Sequence, residues 1–524
     1  MEASPTIPGI PPHPRRLHPY KTRRALLPPV AAAVVAGEAP PMAPEALVAQ
    51  GSSQIVRLVQ IGIGVFFIYL ISVAFQGNVS GAVAGGIVNA CAMFPLLLWV
   101  MGKAHGFPIY PLYASMFVSA FGMQMIQNRE LIQRTPPELF WISCLAISGF
   151  LLLSTALWFP FVRKPKLPPA TVMAIGGKRS QPVLIAGQAL STIFIIEGAM
   201  GGLDWLGGFS TVLRAFMFCL SALSTFILAY DLGLNNLKPF MKWLYLFLVG
   251  MTMLAHGSGF LLVQAMGTGL LSMMGYIIAS HKFPWKVFAI GCFIMSILHY
   301  GKYSMREKYW HDEYVGKIFS PFEYPAMYAE WSRYGLNYFF GAKKYDEERS
   351  TLVERSGLLH LFFKVQEMDD HMPLLQGKTY AILPMLLIPH FLNKNRLGVH
   401  ETTTLLNIYF NIQSREDSEN TTVGWGLFNE AYANFGYFGL GMLAVVLALF
   451  FGKVTQYSMG CPVTSFQGLV AISVMNVAYQ SEFSSGVFVT VLFQTLVALV
   501  GLRFLIMQPI TLDRTKLRTT MGGI

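Results

Sequence analysis

The chain of 524 residues is 54% hydrophobic and 12% charged, with a mean hydropathy of +0.49. Those proportions exclude a soluble globular domain, and the number of long apolar runs excludes a soluble enzyme held by one hydrophobic anchor. The formal charge of +11 gathers at the flanks of those runs. With no basic patch interleaved with stacking aromatics elsewhere, it reads as an orientation signal and attraction to anionic lipid, not as a nucleic-acid footprint.

The first fifty residues carry eleven prolines and many alanines, including 27-LPPVAAAVVAGEAPP-41. Such a composition builds no core, so residues 1–54 are expected to be a disordered cytoplasmic arm. A cleaved signal peptide over 25-ALLPPVAAAVVAGEA-39 is the alternative, disfavoured because prolines interrupt its apolar region.

Twelve apolar runs then follow, at roughly 58–76, 81–101, 107–126, 139–162, 182–203, 209–230, 242–257, 258–280, 285–303, 434–453, 463–481 and 484–507. They predict an all-α polytopic membrane protein of about twelve helices. The 39 residues from 242 to 280 surround 256-HGSG-259. They read as two short spans meeting at a glycine turn or as one long broken helix, since a crossing needs about 20 residues.

Lys and Arg concentrate in the N-terminal tail, at 163-RKPK-166, at Lys238, Lys242, Lys282 and Lys286, and at Arg514, Lys516 and Arg518. With twelve spans all of these lie on one side, which the positive-inside rule makes cytoplasmic, while Arg129 and Arg134 fall outside. The organisation expected is a bundle of about nine helices over 55–303, a large outer loop over 304–433 packed over the outer mouth, three helices over 434–507 and a basic cytoplasmic tail over 508–524. The outer loop holds seventeen of the 27 acidic residues against thirteen basic ones. An acidic outer loop fits that orientation.

The five cysteines fall within predicted spans or at the cytoplasmic edge, so no disulfide framework is expected. No Cys/His spacing suggests zinc, and no glycine-rich phosphate loop follows a strand. Two charges lie inside predicted spans. Glu197 and Arg214 stand four to six residues from the outer ends of consecutive spans, where they are expected either to pair or to wall a site.

Chemistry therefore falls to the outer loop. In 352-LVERSGLLHLFFKV-365 a broad apolar side with Arg355 near it predicts a helix on the membrane surface. Next, 380-YAILPMLLIPHFL-392 is too short to cross and is broken by Pro384 and Pro389, so it reads as re-entrant or interfacial. A cationic turn, 393-NKNRLGVHETTT-404, leads on to 424-GWGLFNEAYANFGYFGLG-441. Read as a helix, this last stretch sets Glu430, Asn434 and Tyr437 on one face beside a stripe of Phe428, Ala431, Phe435 and Phe438. A carboxylate is thus expected at a helix entrance at the outer face of the bilayer.

This succession resembles the Wzy-type polymerases of O-antigen and exopolysaccharide repeat units. The resemblance rests on an arginine-bearing helix, "QGKTY" (376–380), "IPHFL" (388–392) before a basic turn, and "GLFNEAYANFGYFG" opening a late membrane helix. It covers about 90 residues, and it departs from the family pattern at His390, where arginine is usual. The resemblance implies a multi-pass protein of a bacterial inner membrane that transfers a glycan from one undecaprenyl diphosphate carrier to a sugar hydroxyl on the next. It implies a lipid-linked oligosaccharide as substrate, membrane lipids as surroundings, and a chain-length regulator and a flippase as further partners. No cofactor is required where arginines hold the leaving diphosphate.

Under that reading Glu430 or His390 takes the hydroxyl proton, and Arg355, Lys378 and Arg396 hold the diphosphate. Tyr432, Asn434, Glu197 and Arg214 are further substrate contacts. Each has a plainer alternative: Glu430 can favour a helix N-terminus, Arg355 can reach for lipid headgroups, and Lys378 and Arg396 can be solvated. Two other functions remain open. A secondary carrier would use Glu197 as a cation site, although no inverted repeat is visible. An O-antigen ligase would share the architecture and change the acceptor.

Overall fold

In a computed structural model of the protein, the described residues are 53–175, 180–206, 209–260, 262–280, 282–311, 317–340, 357–369, 371–388, 397–420 and 423–512. Apolar runs become helices because a backbone in hydrocarbon has no hydrogen-bond partner except itself. In chain order these are α1 Ser53–Phe75, α2 Val79–Val100, α3 Ile109–Gln127 and α4 Pro137–Val162. A short strand, β1 Thr171–Ile175, precedes α5 Ser180–Ala199, α6 Phe209–Gly233, α7 Pro239–Gly257, α8 Leu262–Ser280 and α9 Trp285–Arg306. Among the described residues, α2 to α8 and two later helices make nine that are long and apolar enough to cross a membrane. The chain is an all-α polytopic membrane protein.

The stretch from 242 to 280 is two helices. The break falls at Phe260, which adopts a φ of +58° although the neighbouring glycines were available. A large side chain tolerates that conformation only where packing holds it. Here the Phe260 ring lies 5.3 to 6.4 Å from those of Tyr309, Trp310, Phe319 and Trp331.

Within 304–433, one described helix lies lengthwise on a neighbour. Helix α10, Tyr324–Phe339, turns back alongside α9: the Trp331 indole donates to the Leu298 carbonyl at 2.7 Å, and Gly335 lies against the Ile297 carbonyl. Leu298 stands eight residues before the end of α9, about 12 Å along the axis at 1.5 Å per residue. Part of the expected outer loop therefore packs along α9. Glycines at 301 and 335 make the close approach possible, since a Cβ on Gly301 would lie 2.5 Å from the Trp331 carbonyl oxygen.

Helix α11, Leu359–Asp369, is also sunk into the protein. Leu359, Leu361, Phe362, Phe363 and Val365 are all buried, and Phe362 meets Phe428 at 5.0 Å. His360, Lys364 and Glu367 remain on its exposed side. The dipping segment appears as α12, Lys378–Leu387, ten residues and so too short to cross, followed by α13 Glu401–Tyr409. The chain ends in α14 Gly426–Ser458, α15 Phe466–Ala478, α16 Ser485–Ile506 and β2 Met507–Thr511.

The two strands were not expected from the sequence. They pair antiparallel, Thr171 opposite Thr511 and Ile175 opposite Met507, and the Ile175 amide donates to the Thr464 carbonyl at 3.0 Å. The chain after α4, between α14 and α15, and after α16 is thereby pinned together on one face. His105, after α2, joins them through its amide to the Val162 carbonyl at 2.9 Å.

Candidate functional site

The site begins with a break in α14. Phe435 (φ −138°, ψ 16°) and Gly436 (φ 59°, ψ −144°) interrupt the helix, leaving Gly426–Asn434 as a separate short piece. A break frees carbonyls that a continuous helix would use, and buried carbonyls need donors. Ala433 and Asn434 receive theirs from the amides of Leu375 and Gln376 at 3.0 and 2.9 Å, and the Gly377 amide donates to Asn434 Oδ1 at 3.1 Å. Gly377 has φ +87°, and a Cβ there would lie 2.9 Å from the Phe435 ring. Tyr380 stacks on that ring with centroids 6.1 Å apart. The segment QGKTY thus seals the break in NEAYANFGYFG.

The break also overturns the expected common face. Tyr437 lies beyond it, half exposed, with its ring 5.0 Å from Tyr432 and its hydroxyl accepting from Gln366 Nε2 at 3.0 Å. The apolar stripe divides in the same way, with Phe428 and Ala431 buried and Phe438 72% exposed.

Glu430 does not stand at an open helix entrance. It is fully buried, and its two oxygens accept from the Ser485 amide and the Ser485 hydroxyl, each at 2.5 Å, with Thr379 as a further partner. Asn434 Nδ2 donates to Thr379 Oγ1 at 2.9 Å and to the Glu430 carbonyl at 2.8 Å. The carboxylate satisfies a free amide in the first turn of α16 and faces the positive end of that helix. The expected position at the start of α14 is correct in sequence. It is wrong in space, because α14 begins inside the protein and Glu430 caps a different helix.

Tyr432 and Asn434, expected as substrate contacts, are internal as well. Tyr432 is 2% exposed, donates to Asp369 Oδ2 at 3.2 Å and packs on Phe362 at 5.1 Å. Lys378 is exposed at the first residue of α12. Glu197 and Arg214 are both exposed and form no ion pair with each other; the Glu197 carboxylate folds back over Gly202 instead. Arg355, His390 and Arg396 lie outside the described residues.

Two turns complete the site. Helix α15 starts at the strand-bearing face and has 13 residues, about 20 Å of rise, against a hydrocarbon core of about 30 Å. The turn from Tyr479 to Ser484 joins it to α16, whose 22 residues, about 33 Å of rise, return to β2 on the same face. The second turn, Gly424–Gly426, meets it: the Gly426 amide donates to the Glu482 carbonyl at 3.1 Å. Gly426 and Ser481 border a small apolar pocket with Tyr113, Phe117, Leu358 and Phe428. Beside it α3 carries a π-helical turn, Val118–Gly122, whose Ala120 carbonyl accepts from the Leu358 amide at 2.8 Å.

Two titratable groups near these turns were missed from the sequence. Glu482 is exposed, yet surrounding protein pushes its carboxyl above the usual carboxylate range, while the Lys302 charge opposes the rise. His360, on α11, is also exposed, and burial by its surroundings lowers it below the usual imidazole value against a hydrogen bond at Gly357. Tyr380, between burial and the Glu430 charge, is held well above the usual phenol range. Among the described residues no cluster of His, Cys, Asp and Glu could hold a metal ion. A signal for α16 was available: Ser484 and Ser485 precede an apolar run, as at a capped helix start.

No protein-family model, curated protein or solved structure matches this chain.

Proposed function

We propose that this protein is a membrane glycosyltransferase that polymerises undecaprenyl-diphosphate-linked repeat units at the outer face of a bacterial inner membrane. The observation that carries the reading is the interlock of the two motif segments. QGKTY and NEAYANFGYFG, whose succession suggested the family, meet residue on residue through Gly377, Thr379, Glu430 and Asn434. Segments that must cooperate in one site have a reason to be joined in this way. The turns at 479–484 and 424–426 meet beside this interlock, where the Gly426 amide donates to the Glu482 carbonyl.

In this reading twelve helices cross the membrane. The nine long apolar ones are joined by α1, α9 and the short α15. The strand-bearing face, with 163-RKPK-166 next to β1, is cytoplasmic. Lys378, Arg355 and Arg396 hold the departing diphosphate, while Glu430 and Asn434 fix the floor beneath it. Arginine's planar fork suits that task better than a point charge.

A cell-free assay with a lipid-linked repeat unit as sole substrate tests the proposal. A ladder of products is expected. A unit left unextended, but handed on when lipid A core is supplied, would replace polymerase by ligase. Arg355→Ala is expected to lose most of the ladder while the protein still accumulates, with Arg355→Lys recovering only part; a wild-type ladder from Arg355→Ala would return that residue to the lipid headgroups.

A further inference from the structure

We propose that Asp369 and Tyr437 form a sugar-binding subsite that takes a neutral sugar of the lipid-linked repeat unit by adjacent free hydroxyls, an assignment that rests on the polymerase reading above. Asp369 is the last residue of α11 and is exposed. A carboxylate has the wrong sign for the C-terminal end of a helix. Helix formation therefore gives no reason for it, and local misfits of this kind collect at functional sites.

The carboxylate is held from behind by a directed run of side chains. The buried Ser143 hydroxyl, on α4, donates to Gln366 Oε1, which fixes the amide so that its Nε2 donates to the Tyr437 hydroxyl at 3.0 Å. Tyr437 is in turn a hydrogen-bond neighbour of Tyr432, whose own hydroxyl donates to Asp369 Oδ2 at 3.2 Å. With the Tyr432 proton given to Asp369, the bond between the two phenols runs from Tyr437. Every donor thus points toward Asp369, and hydrogen bonds in series polarise one another. Gln366 and Tyr432 are buried, but the run opens to the surface at two places. Among the described residues nothing donates to Asp369 Oδ1, and the Tyr437 ring, edge-to-face on Tyr432, is half exposed. Glu430 has the opposite arrangement, with both oxygens committed.

The cluster stands at the membrane boundary opposite the strands. Val162, Ser458 and Ile506 end α4, α14 and α16 at the strand-bearing face. Counted back along those helices at 1.5 Å per residue, Ser143, Tyr437 and Ser485 each lie about 30 Å from it, which is the thickness of the hydrocarbon core. A sugar joined to a lipid through a diphosphate is carried at that level. Lys378, which holds the diphosphate in this reading, follows the 375–377 segment that seals the break in α14. A cation for the diphosphate and a carboxylate for the sugar therefore flank one break.

A carboxylate accepts hydrogen bonds at both oxygens and donates none. With Tyr432 on Oδ2, sites remain for two hydroxyls, as on neighbouring carbons of a sugar ring, and the Tyr437 ring offers an apolar face to the sugar's C–H groups. The same charge repels an acidic sugar, which sets the class as neutral. Two plainer accounts compete: a tie between α11 and α14, and a tyrosine placed at headgroup level as membrane proteins commonly do.

Full-length protein in liposomes is offered two probes, the lipid-linked repeat unit purified from cells lacking this protein and undecaprenyl diphosphate alone. The wild type is expected to bind the first about ten-fold or more tightly, and periodate opening of its vicinal diols should remove that preference. Asp369→Asn keeps one acceptor for Tyr432 and loses the other. It should therefore keep the unfolding midpoint and the affinity for the bare carrier while the preference falls about ten-fold. A preference that survives Asp369→Asn or periodate would overturn the subsite. Parallel loss of both probes with a lowered midpoint would overturn it in favour of the tie, and an unchanged preference in Tyr437→Ala would return that ring to the headgroups. A wild type that extends the repeat unit without preferring it to the bare carrier also overturns the subsite alone, whereas a wild type that neither binds nor extends it contradicts the polymerase reading itself.

Discussion

Helices α5 to α8 and the described residues between Leu358 and Ser485 are held by different atoms. In α5 to α8 the backbone is satisfied within each helix, and side chains make the ties between helices. Gln188 bonds Thr252 and Thr225 at 3.2 and 3.0 Å, Thr192 bonds Thr252 at 2.8 Å, and Tyr245 bonds Ser272 at 2.7 Å. From Leu358 to Ser485 the backbone itself depends on neighbours: Leu358 on Ala120, Leu375 on Ala433, Gln376 on Asn434, Ser485 on Glu430. A broken backbone exposes polar groups that chemistry can use, and each break then needs a specific partner to hold it.

That difference predicts unequal costs. Glu430→Leu leaves the Ser485 amide and hydroxyl and the Thr379 hydroxyl without their acceptor, at about 1–3 kcal/mol for each buried group, so the protein should unfold far earlier in detergent or fail to accumulate. Glu430→Gln should be mild, since its amide oxygen can take the Ser485 amide while its NH2 donates to the Ser485 hydroxyl. If Glu430→Leu is as stable as a hydroxyl deletion in α7, the comparison fails.

Gly377→Val comes next. It forces a β-branched residue to φ +87° against the Phe435 ring, for about 1–3 kcal/mol of strain. The expected readout is a lower unfolding midpoint together with a loosened α12, seen as faster amide exchange at Thr379. By contrast Thr252→Val removes two of several ties and should cost only about 1.2 kcal/mol, at the average of about 0.6 kcal/mol for a hydrogen bond between membrane helices. A loss from Thr252→Val as large as that from Gly377→Val would show that α5 to α8 are no more redundant than the site.

The smallest effect expected lies outside both regions. Glu330 is partly desolvated, which raises its pKa, but hydrogen bonds from Lys308 and Tyr309 at 2.5 and 2.8 Å outweigh this and hold it below the usual value. A lowered folded pKa means stability that is present above the unfolded value of about 4.3 and lost as pH falls through the folded one. The loss should be under about 1 kcal/mol for so accessible a pair. Unfolding midpoints measured from pH 6 down to 3 should show a small decline that Glu330→Gln abolishes.

Much of the first region was legible in the sequence. Runs such as 209–230 and 258–280 announce themselves by length and apolarity, and only the residue at the α7–α8 break was misplaced, because tertiary packing fixed Phe260 in a conformation its own chemistry disfavours. The second region was legible only in part. Glu430 stood out as a carboxylate beside apolar residues, and Ser484 and Ser485 mark a helix start, but nothing local says that one caps the other across 55 positions. Periodicity extended the face of Glu430 to Tyr437 straight through Gly436, whose φ is set by the partner segment. Glu482 was passed over because a lone carboxylate between two apolar runs looks like an ordinary surface turn.

The central claim is a division of labour between two carboxylates, Glu430 committed and Asp369 open. Thiol accessibility tests it most directly, after Cys91, Cys144, Cys219, Cys292 and Cys461 have been replaced. A single cysteine at Asp369→Cys should react with a charged, water-soluble thiol reagent in intact liposomes, and one at Ser485→Cys, next to Glu430, should stay unlabelled until the protein is denatured. Rapid labelling at 485 with none at 369 would contradict the account.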